Sequence, residues 1–205
     1  METIRAPLLE YGFAKSAVPG HGESGDLHLV RCTRTGILIA AIDGLGHGQQ
    51  AADAARLAMS VLRADFDEPV ISLVERCHEK LRRTRGVVLS LASIDPEKGM
   101  MTWLGVGNVQ GVLTRANCTK GSAQEMLLLR GGVVGAQLPP LQATVLPIAR
   151  GDTLYFATDG IGGGFSANLV TLENPQRAAD RILEQFQLGI DDALVLVARL
   201  TGVHP

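Results

Sequence analysis

The sequence predicts an α+β fold in which two antiparallel sheets pack together with helices outside. Three observations carry that expectation. About ten short stretches have the apolar, β-rich character of strands, and three longer ones repeat apolar residues at helical spacing. The helices are also grouped, two after the third strand and one before the last, and do not alternate with strands as in a doubly wound fold. Residues 1–205 contain no linker, solenoid repeat or low-complexity stretch, so one domain with no separate regulatory domain is expected.

Residues 4–13 and 27–33 read as strands joined by the Gly/Pro-rich turn Pro19 to Asp26. Ile37 to Ile42 is a short continuous apolar run, the pattern of a strand buried on both faces. From His47 to Asp65 the period changes, with Ala51, Ala54, Ala55, Ala58, Val61 and Leu62 on one face, small enough to lie close on a sheet. Pro69 opens a second helix marked by Val70, Val74, Cys77 and Leu81, which forms a natural antiparallel pair with the first. Strands follow at Gly86 to Ile94, Met101 to Val106, Val109 to Thr114, Glu125 to Leu129 and Gln142 to Leu146. Asp95-Pro96-Glu97-Lys98-Gly99 is a turn between the first two of these. Thr153 to Thr158 is a strand, Asn174 caps a helix through Ala178, Ala179, Ile182, Leu183 and Phe186, and Ala193 to Leu200 closes the chain as a strand.

Composition removes several classes of function. With 46% apolar and 20% charged residues and a net charge of −2, the chain has an ordinary globular balance. The one basic run, Lys80-Leu81-Arg82-Arg83-Thr84-Arg85, reads as the solvated end of a helix, so no nucleic-acid partner is expected. Cys32, Cys77 and Cys118 are far apart and odd in number, as suits buried free thiols in a reducing cytoplasm. No stretch approaches the roughly 18 apolar residues of a membrane span, and no secretory leader is apparent. A cytoplasmic protein is expected.

Two apolar segments end in the same dipeptide, at Asp43-Gly44 and Asp159-Gly160. An Asp-Gly step commonly makes a hairpin, but Leu45-Gly46-His47-Gly48 leads into a helical pattern, and Ile161-Gly162-Gly163-Gly164 is too glycine-rich to pair in register. Asp26 and the pair Asp191-Asp192 flank two further strands. Acids at strand ends are often simple turn formers, so the case for chemistry is joint. Four carboxylates converging from strand ends would repel, and a hard divalent cation with a preference for oxygen ligands would hold them. Glycine after each Asp would let the backbone approach the ion. A dinucleotide-binding turn at Gly44-Leu45-Gly46 is disfavoured, because Gln49 stands at its third glycine and Asp43 would face the pyrophosphate. The five histidines form no metal-ligand pair at helical spacing; His47 alone lies near the acids, as a hydrogen-bonding group or a proton shuttle.

Ser24-Gly25-Asp26, Asp43-Gly44-Leu45-Gly46-His47-Gly48, Thr158-Asp159-Gly160 and Asp191-Asp192, in this order, resemble the PPM (type 2C) metal-dependent serine/threonine phosphatases. The glycine-rich first motif resembles their SpoIIE-like branch. Glu75-Arg76-Cys77, Arg85-Gly86 and Val106-Gly107-Asn108-Val109 look like the stressosome phosphatases within it. The resemblance implies a four-layer αββα sandwich holding two Mn²⁺ or Mg²⁺ ions at one edge. Carried over, Asp43 would bridge both ions, the Gly44 carbonyl and Asp26 would serve one, and Asp159 and Asp191 the other. A metal-activated water would attack the phosphoester, with His47, Asn108 and Asp192 in supporting positions around the ligands.

The chain departs from the family pattern in three places. Leu194 stands where many relatives have Thr, Asn108 stands where some carry an Asp that helps a third metal, and the arginine that grips substrate phosphate in those relatives has no evident counterpart before Asp26. Substrate positioning is therefore expected from the protein partner or the metals. The implied function is dephosphorylation, by a monomer, of phosphoserine or phosphothreonine on STAS-domain stressosome proteins, which resets stress signalling. The alternatives are a non-catalytic interaction module, against which four intact acids argue, and an anti-anti-sigma-factor phosphatase, which usually carries a sensing domain. The preferred phosphosite, the physiological metal and the order of the loop 161–172 are not set by sequence.

Overall fold

A computed structural model describes residues 8–20, 22–32, 36–117, 123–170 and 173–202. His21 and Cys118 lie outside the described residues. The strands are β1 (Leu9–Ser16), β2 (Asp26–Cys32), β3 (Ile37–Gly44), β4 (Val87–Asp95), β5 (Met100–Val106), β6 (Gln110–Thr114), β7 (Gln124–Met126), β8 (Thr144–Pro147), β9 (Thr153–Ala157) and β10 (Ala193–Leu200). The helices α1 (Gln49–Ala64) and α2 (Val70–Leu81) follow β3, and α3 (Pro175–Phe186) precedes β10. One sheet runs β1-β10-β9-β6-β7 and the other β2-β3-β4-β5-β8. Every pairing is antiparallel.

Side-chain alternation sorts these strands into layers. Ile37, Ile39 and Ala41 of β3 meet Val88 and Ala92 of β4 and Phe156, Leu194 and Leu196 of the other sheet, so they form the core between sheets. The intervening Leu38, Ala40 and Ile42 pack on Ala54, Ala58 and Leu62 of α1 and on Leu73 and Cys77 of α2. On the opposite side Tyr155, Val195 and Val197 meet Ala178, Ala179 and Ile182 of α3. The result is a helix, sheet, sheet, helix sandwich, and it explains why β3 reads as an unbroken apolar run.

Local chemistry sets the boundaries. The Asn174 side chain accepts hydrogen bonds from Gln176 N and Arg177 N at 3.0 and 3.2 Å, with Pro175 in the first turn of α3. Asp95 Oδ1 accepts from the backbone of Glu97 and Lys98, and Gly99 takes φ +60°, closing the β4–β5 turn. Three boundaries differ from the sequence reading. β1 runs on to Ser16 because its register with β10 continues to Ala193. β7 is only three residues long, and β8 begins at Thr144, where pairing to Trp103 starts. A 3-10 turn over Gly163–Asn168, anchored by the fully buried Phe165, lies within the loop that the sequence left open. Cys77 is buried as expected, whereas Cys32, at the end of β2, is exposed.

The antiparallel helices and sheets touch closely where glycine allows it. A β-carbon on Gly12 of β1 would lie 2.3 Å from Gln176 Cα in the first turn of α3. Gly12→Ala should therefore lift α3 from β1 and destabilise the fold by about 1–3 kcal/mol, read as a lowered urea midpoint with an unchanged slope.

Candidate metal centre

The β2–β3 register sets Asp26 directly opposite Asp43 at the end of both strands. The same end carries Gly44, which pairs with Val87 at the start of β4. Asp26 is 1% exposed, while Asp43 is only partly buried and Asp159 is exposed. Two hydrogen bonds cross from the other sheet to this edge. Thr158 Oγ1 donates to Asp26 Oδ2 at 2.7 Å, and Gly25 N donates to Asp192 Oδ2 at 2.8 Å. Val18 N donates to Asp192 Oδ1 at 2.9 Å, so both oxygens of Asp192 are held by backbone.

The strand ends thus bring Asp26, Asp43, Asp159, Asp191 and Asp192 within electrostatic reach of one another, and the acidities of Asp43, Asp26 and Asp159 record it. Burial, with repulsion from Asp26, Asp159, Asp191 and Asp192, pushes the Asp43 carboxyl up to about 9. Burial also pushes Asp26 up to about 7, against the opposing hydrogen bond from Thr158 and with added repulsion from Asp192, Asp159 and Asp191. Asp159 is raised by desolvation and by Asp191, while the hydrogen bond from Asn108 Nδ2 at 2.8 Å opposes the rise. Among the described residues no three acidic, imidazole or thiol groups close into a single ligand set. The acids act on one another by charge across the edge.

The donors nonetheless suit a hard cation in kind. Asp26 Oδ1 is buried without a hydrogen-bond partner, and a buried carboxylate oxygen left so is costly unless a positive charge satisfies it. The nearby side chains at this edge supply oxygen in place of sulfur or nitrogen, which matches Mg²⁺ or Mn²⁺ better than Zn²⁺.

Neither Asp-Gly step is a hairpin. Asp43-Gly44 leads through a loop into α1, and Asp159-Gly160 into the 3-10 turn. The glycines answer first to packing. A β-carbon on Gly44 would lie 2.1 Å from Ala51 O in α1, and one on Gly160 would lie 2.0 Å from Asp192 O. His47 is exposed in the loop before α1. At position 194, where many relatives have Thr, the Leu194 backbone N donates to Thr158 Oγ1 at 2.8 Å.

Two residues at this edge escaped sequence reasoning. Thr158 stood in a quoted motif, but its role depends on β9 meeting β2 across the sandwich, which no local pattern announces. Arg85 was grouped with the solvated end of α2, yet a β-carbon on Gly46 would lie 2.8 Å from its Nη1, so it lies against the loop after Gly44. A separate groove between α1 and α2, lined by Leu57, Val61, Glu68, Glu75 and Glu79, contains none of the acids.

The sequence model of the Stage II sporulation protein E (SpoIIE) family matches residues 33–201. The chain belongs to the SpoIIE family. This agrees with the PPM-type resemblance of its Asp motifs. It is 29% identical over 94 residues to the phosphoserine phosphatase RsbX of Bacillus subtilis (strain 168), a match spanning 46% of this chain and 47% of RsbX, so the aligned part is about half that relative's length. Its structure is similar to one described under the bacterial stressosome as a modular system adapted to control secondary messenger signalling, with TM-score 0.85, 29% identity, and coverage of 93% and 99% of the two chains. RsbX in complex with magnesium shares the fold at TM-score 0.83 and 20% identity, over 94% and 96% of the chains. The PP2C phosphatase domain of SpoIIE from Bacillus subtilis does so at 0.76 and 21%, over 96% of this chain and 64% of that one. Among the described residues of the SpoIIE-family chain, no helix is long and apolar enough to cross a membrane.

Raised carboxyl pKa values have a signed consequence for stability. Asp26 and Asp43 titrate near 4 when unfolded, so the metal-free fold holds their protons more tightly and is most stable below that pH. With chelator present, the melting temperature should fall as pH rises from about 4 toward 9. Asp43→Asn should flatten that slope, and added Mn²⁺ should restore stability most at the alkaline end; a melting temperature independent of pH and metal would contradict the charge balance.

Proposed function

We propose that this chain is a metal-dependent phosphoserine/phosphothreonine protein phosphatase acting on phosphorylated STAS-domain proteins of a stressosome. The observation that carries the reading is the strand-end set of acids, with the buried, unpartnered Asp26 Oδ1 among them, in a SpoIIE-family sandwich. Its similarity to a phosphoserine phosphatase and to a stressosome structure supports the substrate class.

Two Mn²⁺ or Mg²⁺ ions would be held by Asp43 between them, by Gly44 O and Asp26 on one side, and by Asp159 and Asp191 on the other. When bound, such ions lower the pKa of a coordinated water and neutralise charge on phosphoryl oxygens. The protein's own contribution is positional. Asn108 orients Asp159 through its amide, and Thr158 fixes one oxygen of Asp26 so that the other is directed to the ion. Asp192, with both oxygens bound to backbone N–H groups, holds the two sheets together and leaves Asp191 as the ligand of that pair. His47, exposed in the loop before α1, would be the group that exchanges a proton with the leaving group. The residues act as a single domain and as a monomer in the cytoplasm. Retention of the acids at all four motif positions favours catalysis over a role as an interaction module.

Asp43→Asn should lower Mn²⁺-dependent phosphate release from a phosphoserine STAS-domain substrate by at least about 100-fold, because the proposed bridging ligand is lost. Circular dichroism should show the fold intact. Turnover like wild type in that variant would sink the mechanism, and metal-dependent turnover on phosphopeptides but not on phosphorylated STAS proteins would reassign the substrate.

A further inference from the structure

We propose that Arg85 forms a binding site for the substrate's phosphoryl group, a phosphomonoester dianion, beside the strand-end carboxylates. The inference rests on the phosphatase reading and supplies what that reading lacks, a fixed cationic side chain that recognises the anion. Phosphate on serine carries a charge of about −1.5 to −2 at pH 7. Five acids at one edge oppose its approach, so a fixed cation beside them is needed as much as bound metal. Arginine suits the task, since its planar set of N–H donors matches phosphate oxygens and its charge is permanent.

Three observations converge on Arg85. Leu45 N donates to Gly86 O at 3.1 Å, which pins the segment leaving α2 to the loop that follows Asp43-Gly44. The Nη1 atom lies against Gly46, two residues from Gly44, and any β-carbon there would stand 2.8 Å from it; at φ +84° the backbone also requires glycine. On the other side Arg85 Nε donates to Gln50 Oε1 at 2.7 Å, so Gln50 of α1 is a positioning residue that fixes the guanidinium.

The neighbouring arginines are engaged differently. Arg76 is paired with Asp65 and Glu68, Arg82 with Glu79, and Arg56 with Glu23 and Asp53. Among the described residues no carboxylate pairs with Arg85, whose Nη1 lies against the loop that follows Asp43-Gly44. Arg85 has no ion pair to break, so binding an anion there costs no existing salt bridge. The phosphate-gripping role that has no evident counterpart before Asp26 thus falls to the connection between α2 and β4.

The test is calorimetric titration of inorganic phosphate into the whole, Mn²⁺-loaded chain for wild type, Arg85→Ala and Arg85→Lys, with a Mn²⁺ titration of each. Arg85→Ala should weaken phosphate binding by roughly 10- to 100-fold, the scale of a lost charge-assisted hydrogen bond, with Mn²⁺ affinity unchanged. Arg85→Lys should recover part of the loss, and KM for a phosphoserine substrate should rise more than kcat falls in Arg85→Ala. Equal phosphate affinity in wild type and Arg85→Ala, or no phosphate binding by wild type, overturns the site. Arg85-dependent phosphate binding without turnover would support it while removing the phosphatase reading. Metal-dependent turnover with an unaltered KM in Arg85→Ala would do the reverse.

Discussion

Two carboxylates buried between the sheets set the geometry on which the rest of the molecule depends. A charge taken out of water must find hydrogen bonds or a counter-charge, and Asp192 and Asp26 find them across the sandwich. Asp192, just before β10 in one sheet, accepts from Gly25 N, just before β2 in the other. Thr158, just after β9, donates back to Asp26 at the start of β2. These two bonds fasten one edge of the sandwich, and the turns that leave that edge carry Asp43, Asp159 and Asp191. The acids are gathered because the sheets are tied there. The two fasteners differ in one respect: Asp192 has both oxygens bonded to backbone, whereas Asp26 keeps one oxygen unpartnered.

Backbone packing then controls how deep the edge is. Gly25 and Gly44 both lie against Ala51, and a β-carbon on Gly25 would come within 2.9 Å of that alanine's methyl group. The alanine-rich face of α1 therefore sits on the strand ends themselves, which fixes the start of α1, with Gln50, beside the loop from Gly44 to Gly48. Read from sequence, glycine after each aspartate is explained by ion approach. The structure gives a prior reason: without glycine the helix cannot seat, and a helix that does not seat cannot hold Arg85 through Gln50.

The elements legible in the sequence are those whose signal is local. Caps, turns and periodicity identify α3 from Asn174 and Pro175, the β4–β5 turn from Asp95 and Gly99, and the double-sided burial of β3 from its unbroken apolar run. The acids at strand ends were legible too, since each stands beside glycine at a change of pattern. What sequence could not supply depends on pairing between distant segments. Thr158 and Asp26 are 132 residues apart, and the division of labour between Asp191 and Asp192 is fixed only by which of them meets Gly25 and Val18. Arg85 is exposed, as its place at the end of a basic run suggests, but that run says nothing of the loop it lies against. Its own surroundings come from the β3 loop, through a single backbone bond between Leu45 and Gly86.

The twin Asp-Gly strand ends are chemically unequal, and the inequality follows from register alone. Asp43 faces Asp26 across a strand pair, so their repulsion is built into the ladder and cannot relax without breaking it. Asp159 is exposed, moderated by Asn108, and belongs to the other sheet. The charge penalty is therefore concentrated at the β2–β3 end, where Asp43 rises to about 9 and Asp26 to about 7. A cation is stabilised most where carboxylates are least able to move apart, so this end is the stronger half of the edge for binding a metal. In the proposed phosphatase the Asp159 side, exposed and held only through Asn108, would be the half that changes its ligands as a phosphoryl group arrives and leaves. On the proposed function, a fold that fixes one acid pair by register and leaves the other exposed would separate holding an ion from turning over a substrate.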